Sequence, residues 1–170
     1  MAKADLTAQR LRELLKYYPE TGVFTRLVSR RCGTAEPGDV AGSKRNSEGY
    51  LAFMVDRKTY QAHRLAWLYM TGKWPNALID HINGVKSDNR LCNLREATVS
   101  MNKQNMRKAR ADCVNSGLMG AYLDRRNGGR WFSNITANGK RKHLGYFLTP
   151  QEAHAAYIEA KRRLHPGCTI

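Results

Sequence analysis

The stretch Leu78-Ile79-Asp80-His81-Ile82-Asn83-Gly84 decides how this chain is read. An apolar run from Ala77 to Ile82 predicts a short strand, and an acid beside a histidine interrupts it near its end. Asn83-Gly84 is a tight-turn signal. Beyond a polar loop, Asn93-Leu94-Arg95 predicts a second short strand. Thr98 is the expected N-cap of a helix running to about Arg107 and carrying Asn102 and Asn105. Asn93 therefore follows His81 by 12 positions and Asn102 by 21. Two strands and a helix that gather Asp80, His81, Asn93 and Asn102 suit one catalytic metal site.

The chemistry follows from the residue types. A hard divalent cation prefers oxygen ligands and keeps waters and phosphate oxygens in its shell. Asp80 offers a carboxylate oxygen and Asn102 an amide oxygen. Such an ion acts as a Lewis acid on a phosphoryl oxygen and its leaving group. A neutral His81 takes a proton from water near pH 7, and Asn93 is expected to fix the ring or the attacking water. On a regular strand Asp80 and His81 point to opposite faces, so a turn or bulge is needed to bring both to one phosphate. Asp-His alone would read as a satisfied histidine in a polar turn; the full spacing favours the metal site.

Working outward from that unit, residues 6–18 predict an opening helix with Thr7 as cap and Leu11, Leu14 and Leu15 as its apolar stripe. Gly22–Val28 predicts a strand, and the basic segment from Ser29 to Asp39 a loop in which Arg30 and Arg31 either meet phosphate or are solvated. Residues 49–62 predict a hairpin turning at Asp56-Arg57-Lys58, and His63–Met70 a helix ended by Gly72. His63 is either a ligand or DNA contact or, the favoured reading, a packed and hydrogen-bonded histidine.

The chain of 170 residues has a formal net charge of +15, which points to a polyanionic partner. Residues 1–105 hold 17 basic and 10 acidic residues, net +7, and residues 106–170 hold 12 and 4, net +8, so phosphate contacts are expected first in the shorter tail. Cys32, Cys92, Cys113 and Cys168 contain no C-x-x-C pair. They read as free thiols in a reducing interior, with a zinc site assembled from distant cysteines left open. No secretory signal or spanning apolar run is read, so a place inside the host cell and no membrane partner are expected.

The expected organisation is a larger domain over residues 1–106 that holds the candidate metal site, a basic linker over 107–117, and a small domain over 118–170. In the last, strands are expected over Met119–Leu123, Arg130–Ala137 and Lys140–Phe147, with Asn138-Gly139 as the hairpin turn. Thr149-Pro150-Gln151-Glu152 is a capping box opening a helix that buries Ala153, Ala156, Tyr157, Ala160 and Leu164.

Residues 60–105 resemble an HNH endonuclease module of the kind carried by phage and intron-encoded homing endonucleases. The resemblance is carried by Ala62-His63-Arg64-Leu65-Ala66, Asp80-His81-Ile82-Asn83-Gly84, Asp88-Asn89-Arg90, Asn93-Leu94-Arg95 and Asn102-x-x-Asn105. It implies an α+β chain built on a ββα-metal (His-Me) finger that hydrolyses duplex DNA. By position, His81 would be the general base, Asn93 its orienting residue, and Asp80 and Asn102 the ligands of one divalent ion, Mg²⁺ first and Mn²⁺ next. Many members carry His where this chain has Asn102.

The tail resembles the apetala/ethylene-response-factor DNA-binding domain through Gly120-Ala121-Tyr122, Trp131, Ile135, His143-Leu144-Gly145-Tyr146-Phe147 and the helix around Ala156-Tyr157. That resemblance implies a three-stranded sheet laid in the major groove. Tyr122, Arg130, Asn134, Thr136, Arg141 and His143 would face the groove, with Arg126 added from the turn. Either Trp131 or Phe132 would pack on the helix. Tyr122 and Thr136 stand where the plant domains commonly carry arginines, which implies a different sequence preference. The expected partner is double-stranded DNA, with no protein partner evident and either a monomer or a homodimer. A DNA-binding regulator with an inert nuclease module, and an RNA-binding accessory protein, are the competing readings.

Overall fold

The computed structural model describes residues 6–29, 35–42, 44–45, 48–109, 116–126 and 128–170. Arg30, Arg31, Cys32 and Cys113, the central part of the 107–117 linker, and Asn127 lie outside the described residues. The chain divides into two compact units, Met1–Ala97 and Thr98–Ile170. The division falls before the 107–117 segment, because residues after Thr98 are held by the chain's last turn. Gly167 N donates to Gln104 Oε1 (3.0 Å), Thr169 Oγ1 to Asn105 Oδ1 (2.6 Å), and Lys161 Nζ to the Met106 carbonyl.

In the first unit, α1 spans Ala8–Leu14, capped by the Thr7 side chain on Arg10 N (3.1 Å). The expected helix over 6–18 stops there, and β1 (Leu15–Tyr18) takes over. Leu15 and Tyr17 bury on one face while Lys16 and Tyr18 stay exposed, a period of two, and β1 pairs antiparallel with β2 (Val23–Arg26). A two-residue β3 (Val40–Ala41) completes that sheet. A second sheet holds β4 (Lys44–Arg45), β5 (Leu51–Val55) and β6 (Lys58–Gln61). Asp56 and Arg57 make its tight turn at φ 45° and 66°, the left-handed pair that a two-residue hairpin demands. α2 (Ala62–Thr71) follows at once and ends on Gly72 at φ 77°. Leu11, Leu15, Phe24, Phe53, Leu65 and Leu68 form the core between these elements.

A two-stranded antiparallel ribbon, β7 (Leu78–His81) with β8 (Leu94–Ala97), lies on that core through Ile79 and Leu94. Asn93 was expected in the second strand. It instead ends a 3₁₀ turn, Leu91–Asn93, and its backbone N donates to the Arg90 carbonyl (2.9 Å).

In the second unit, α3 (Val99–Gln104) is capped by Thr98 on Met101 N (3.2 Å). β9 (Tyr122–Asp124), β10 (Arg130–Ala137) and β11 (Lys140–Phe147) form one antiparallel sheet in the order β11-β10-β9. β11 carries an extra residue, Leu144, because Ser133 pairs with Gly145 and Asn134 with His143. α4 (Pro150–Leu164) opens with both arms of its capping box made and packs on the sheet. It buries Ala153, Ala160 and the whole of Lys161, whereas Ala156, Tyr157 and Leu164 are half-buried. No helix among the described residues is long and apolar enough to cross a membrane.

Candidate active site

β7 delivers Asp80 and His81 together at its C-terminal end, both buried (5% and 3% exposed). Their neighbours separate their roles. Asp80 stands opposite Arg95 in the β7–β8 register, and the Arg95 guanidinium donates twice to Asp80 Oδ2 (Nε 3.0 Å, Nη2 2.8 Å). The guanidinium supplies the opposite charge and the hydrogen bonds that a buried acidic side chain otherwise loses on leaving water. His81 lies opposite Leu94 and turns its ring to Asn89, with Nε2 3.1 Å from Asn89 Oδ1. The amide oxygen only accepts, so this bond puts the ring proton on Nε2 and leaves the lone pair on Nδ1. Burial lowers the His81 pKa from its ordinary value, with Asn89 and Asp80 opposing, so the ring is neutral at pH 7.

Asn89 is the functional residue the sequence reading passed over. Its motif, Asp88-Asn89-Arg90, was noticed, but nothing local shows that its side chain reaches a ring eight residues away. It is 1% exposed. Its carbonyl accepts from Tyr17 Oη (2.7 Å), and Leu91 N donates to the Pro19 carbonyl (3.2 Å). Gly22, at φ 73°, lies so close that a Cβ there would sit 2.5 Å from Arg90 N and 2.6 Å from the Asn89 carbonyl carbon. The β1–β2 turn thus braces the residue that orients His81.

Asn93 is expected to fix the ring or the attacking water, and its side chain bonds the loop beside His81. Its Oδ1 accepts from Asn83 N (2.8 Å) and its Nδ2 donates to the Asp88 carbonyl (2.8 Å), tying the two ends of the 83–93 loop together. Asn83 Nδ2 donates to Asp88 Oδ2 (2.7 Å), and Arg90 clamps the same carboxylate, whose pKa falls to about 2. The loop is a closed polar frame that Asn93 helps to hold.

His63, on the first turn of α2, stands edge-on to His81 with ring centroids 5.1 Å apart. It is 5% exposed, and Nδ1 lacks a hydrogen-bond partner among the described residues. Burial first, then the neighbouring His81 and Arg64, push its pKa down to about 3. Packing was the favoured expectation and is what the geometry gives; the satisfied hydrogen bond at Nδ1 is not found. Tyr50 covers both histidines (5.1 and 5.7 Å), with Lys86 Nζ 4.6 Å over its ring.

Asp80, His81 and Asn93 lie in the first unit, where the β7–β8 register runs through Asp80 and His81 without the bulge expected there, whereas Asn102 sits on α3 in the second. Among the described residues no cluster of three His, Cys, Asp or Glu forms. The oxygen chemistry of Asp80 suits a hard cation rather than a zinc-type site, and Asn102 would add an amide oxygen of the same character. Of the four cysteines, Cys92 and Cys168 are free thiols.

On the C-terminal sheet, the pairs Asn134–His143 and Thr136–Arg141 lie side by side, and Phe132, between Tyr122 and Tyr146, shares their parity along β10 with Arg130. Trp131, Ser133 and Ile135 point the other way, the last two fully buried. That settles the open choice: Trp131 takes the helix-side parity and Phe132 the outer face. With the Asn134 amide nitrogen toward His143 Nδ1 (3.2 Å), its oxygen accepts from Arg141 Nη2 (2.7 Å). Arg126 is exposed in the β9–β10 turn.

Residues 60–104 match the family model of the HNH endonuclease. No curated protein and no solved structure matches the chain significantly. The matched stretch runs from Tyr60 through α2, the β7–β8 ribbon and its loop to Gln104, so it contains Asp80, His81, Asn89, Asn93 and Asn102. Over that stretch the match supports an HNH nuclease module, and through it a hydrolase acting on DNA.

Proposed function

We propose that this protein is a divalent-metal-dependent endonuclease of the homing type that cuts duplex DNA, guided to its site by the C-terminal sheet. The observation that carries the reading is the Asp80–His81 pair, ending one strand and served by separate partners, Arg95 for the acid and Asn89 for the base. Asp80 and Asn102 would hold the metal, with Mg²⁺ first and Mn²⁺ second. When bound, that ion supplies Lewis-acid stabilisation of charge on the phosphate.

The chain's own residues do the rest. His81, proton on Nε2, accepts a proton from water at Nδ1 as the water oxygen bonds to phosphorus and one P–O bond to a sugar breaks, the departing sugar oxygen taking a proton from solvent. Asn89 holds the ring in that tautomer, and Asn93 keeps the loop closed. Burial of both histidines excludes solvent from the far side of the base. The outer face of β9–β11, with Tyr122, Arg130, Asn134, Thr136, Arg141 and His143, and Arg126 beside it, would meet the major groove. One active site cuts one strand per engagement, so a double-strand break calls for two visits or a homodimer.

A second reading, a DNA-binding regulator with an inert nuclease module, draws on one feature: Arg95 already engages the Asp80 oxygen that a metal would want. Plasmid incubated with Mg²⁺ or Mn²⁺, with and without EDTA, separates the two. The nuclease reading expects metal-dependent nicking that His81→Ala reduces by about 10²–10⁴-fold. No cleavage with any metal, or equal cleavage by the variant, rejects it.

A further inference from the structure

Across the middle of β9–β11 runs a row of aromatic rings. Tyr122, Phe132 and Tyr146 are direct cross-strand neighbours. Ring centroids are 5.5 Å apart for Tyr122–Phe132 and 6.1 Å for Phe132–Tyr146, and His143 extends the row at 5.0 Å from Tyr146. Tyr122 and Tyr146 are 37% and 49% exposed. Exposed Arg130 and Arg141 share the parity of that face, and exposed Arg125 and Arg126 lie in the β9–β10 turn beside it. Such a face fits a polyanion at its margins and something apolar at its centre.

The major groove offers one apolar group, the C5-methyl of thymine; every other base edge there presents donors or acceptors that a ring would leave unpaired at a cost. Strands about 4.8 Å apart make a three-ring row about 10 Å long, which spans about three base pairs. A stacking platform for unpaired bases fits less well. A base slid between Tyr122 and Phe132 needs rings about 6.8 Å apart, twice the 3.4 Å stacking distance, and they stand 5.5 Å apart.

Resting on the proposed docking of this sheet on duplex DNA, we infer that Tyr122, Phe132 and Tyr146 select a thymine-bearing core of two or three base pairs by contacting C5-methyl groups. Arg130 and Arg141 hold the flanks. The row is then a specificity determinant, separate from the charge that gives affinity.

The test is fluorescence anisotropy on the full chain, in EDTA to prevent cleavage, with four 20-base-pair probes and one single strand. The probes are a mixed A·T duplex, the same duplex with deoxyuridine for thymidine, a G·C duplex, and that duplex with 5-methylcytosine; the strand is oligo(dT). Removing the methyls should weaken binding about fourfold for each one buried, roughly fifteenfold for two. Adding them to the G·C duplex should strengthen it. Tyr146→Ser should bring the thymine-to-uracil ratio towards one, while Arg130→Ala weakens both duplexes alike. Measurable duplex binding with a wild-type ratio of one overturns the inference and leaves duplex docking standing; this comparison needs no variant. Oligo(dT) bound above every duplex overturns the docking and the inference together.

Discussion

Acidification should unfold the first unit through His63, and the size of the effect follows from its surroundings. The imidazole is 5% exposed, and its pKa is pushed down to about 3 from 6.5, chiefly by burial. The unfolded chain therefore binds a proton between those values and the folded chain does not. Stability rises with pH across that window: it is full above 6.5 and drains as pH falls towards 3. At 1.36 kcal/mol per pH unit, going from pH 7.5 to pH 5.0 costs about 2 kcal/mol from this one group. The assay is urea unfolding at both pH values followed by tryptophan fluorescence. A Trp131→Phe background leaves Trp67 and Trp74, both in the first unit, as reporters. His63→Phe keeps a ring against His81 and removes the titration. It should lose about 2 kcal/mol less than its parent between the two conditions, whatever its stability at pH 7.5. Equal losses in parent and variant would refute the reasoning, because His63 would then be protonated without opening the fold.

Gly22→Ala should cost about 2 kcal/mol or more and slow cleavage, since its Cβ would strike the Asn89–Arg90 backbone; Gly72→Ala, at a similar φ with open space around it, should cost about 1 kcal/mol and leave the rate unchanged. Chemical denaturation alongside a plasmid-nicking rate reads both. Arg95→Met, which removes the guanidinium from buried Asp80, should destabilise the first unit by about 3 kcal/mol, and millimolar Mg²⁺ should raise its thermal midpoint more than the parent's if Asp80 takes the cation. Asn93→Ala should cost about 2–3 kcal/mol for two lost loop bonds and expose the Asn83 amide to rapid hydrogen exchange.

What the sequence could reveal depended on the range of the forces involved. Turn chemistry is local, and Asp56-Arg57, Asn83-Gly84, Asn138-Gly139 and the Thr149–Glu152 box all form where the residues predict. Leu15 shows the opposite case. It falls four residues after Leu11, so it continues a helical stripe, yet it also begins the two-residue alternation with Tyr17 that β1 obeys. The deciding interaction is pairing with Val23–Arg26, which no window on 6–18 contains.

The same limit explains the site. Asp80 and His81 are contiguous and polar residues in an apolar run, so they stand out. The amide that sets the histidine's tautomer is Asn89, and it is positioned by Tyr17, Pro19 and Gly22, some 70 residues earlier in the chain. From sequence, Tyr17 reads as the last turn of the 6–18 helix, and Pro19 and Gly22 as the residues that stop it. Their demand is steric: the backbone of the 83–93 loop must come within contact of residue 22, and only a residue without a Cβ permits that approach at positive φ. The β1–β2 turn therefore belongs to the candidate active site although it contributes no side chain that touches the base. A change there would be read, from sequence alone, as a loop substitution far from the chemistry.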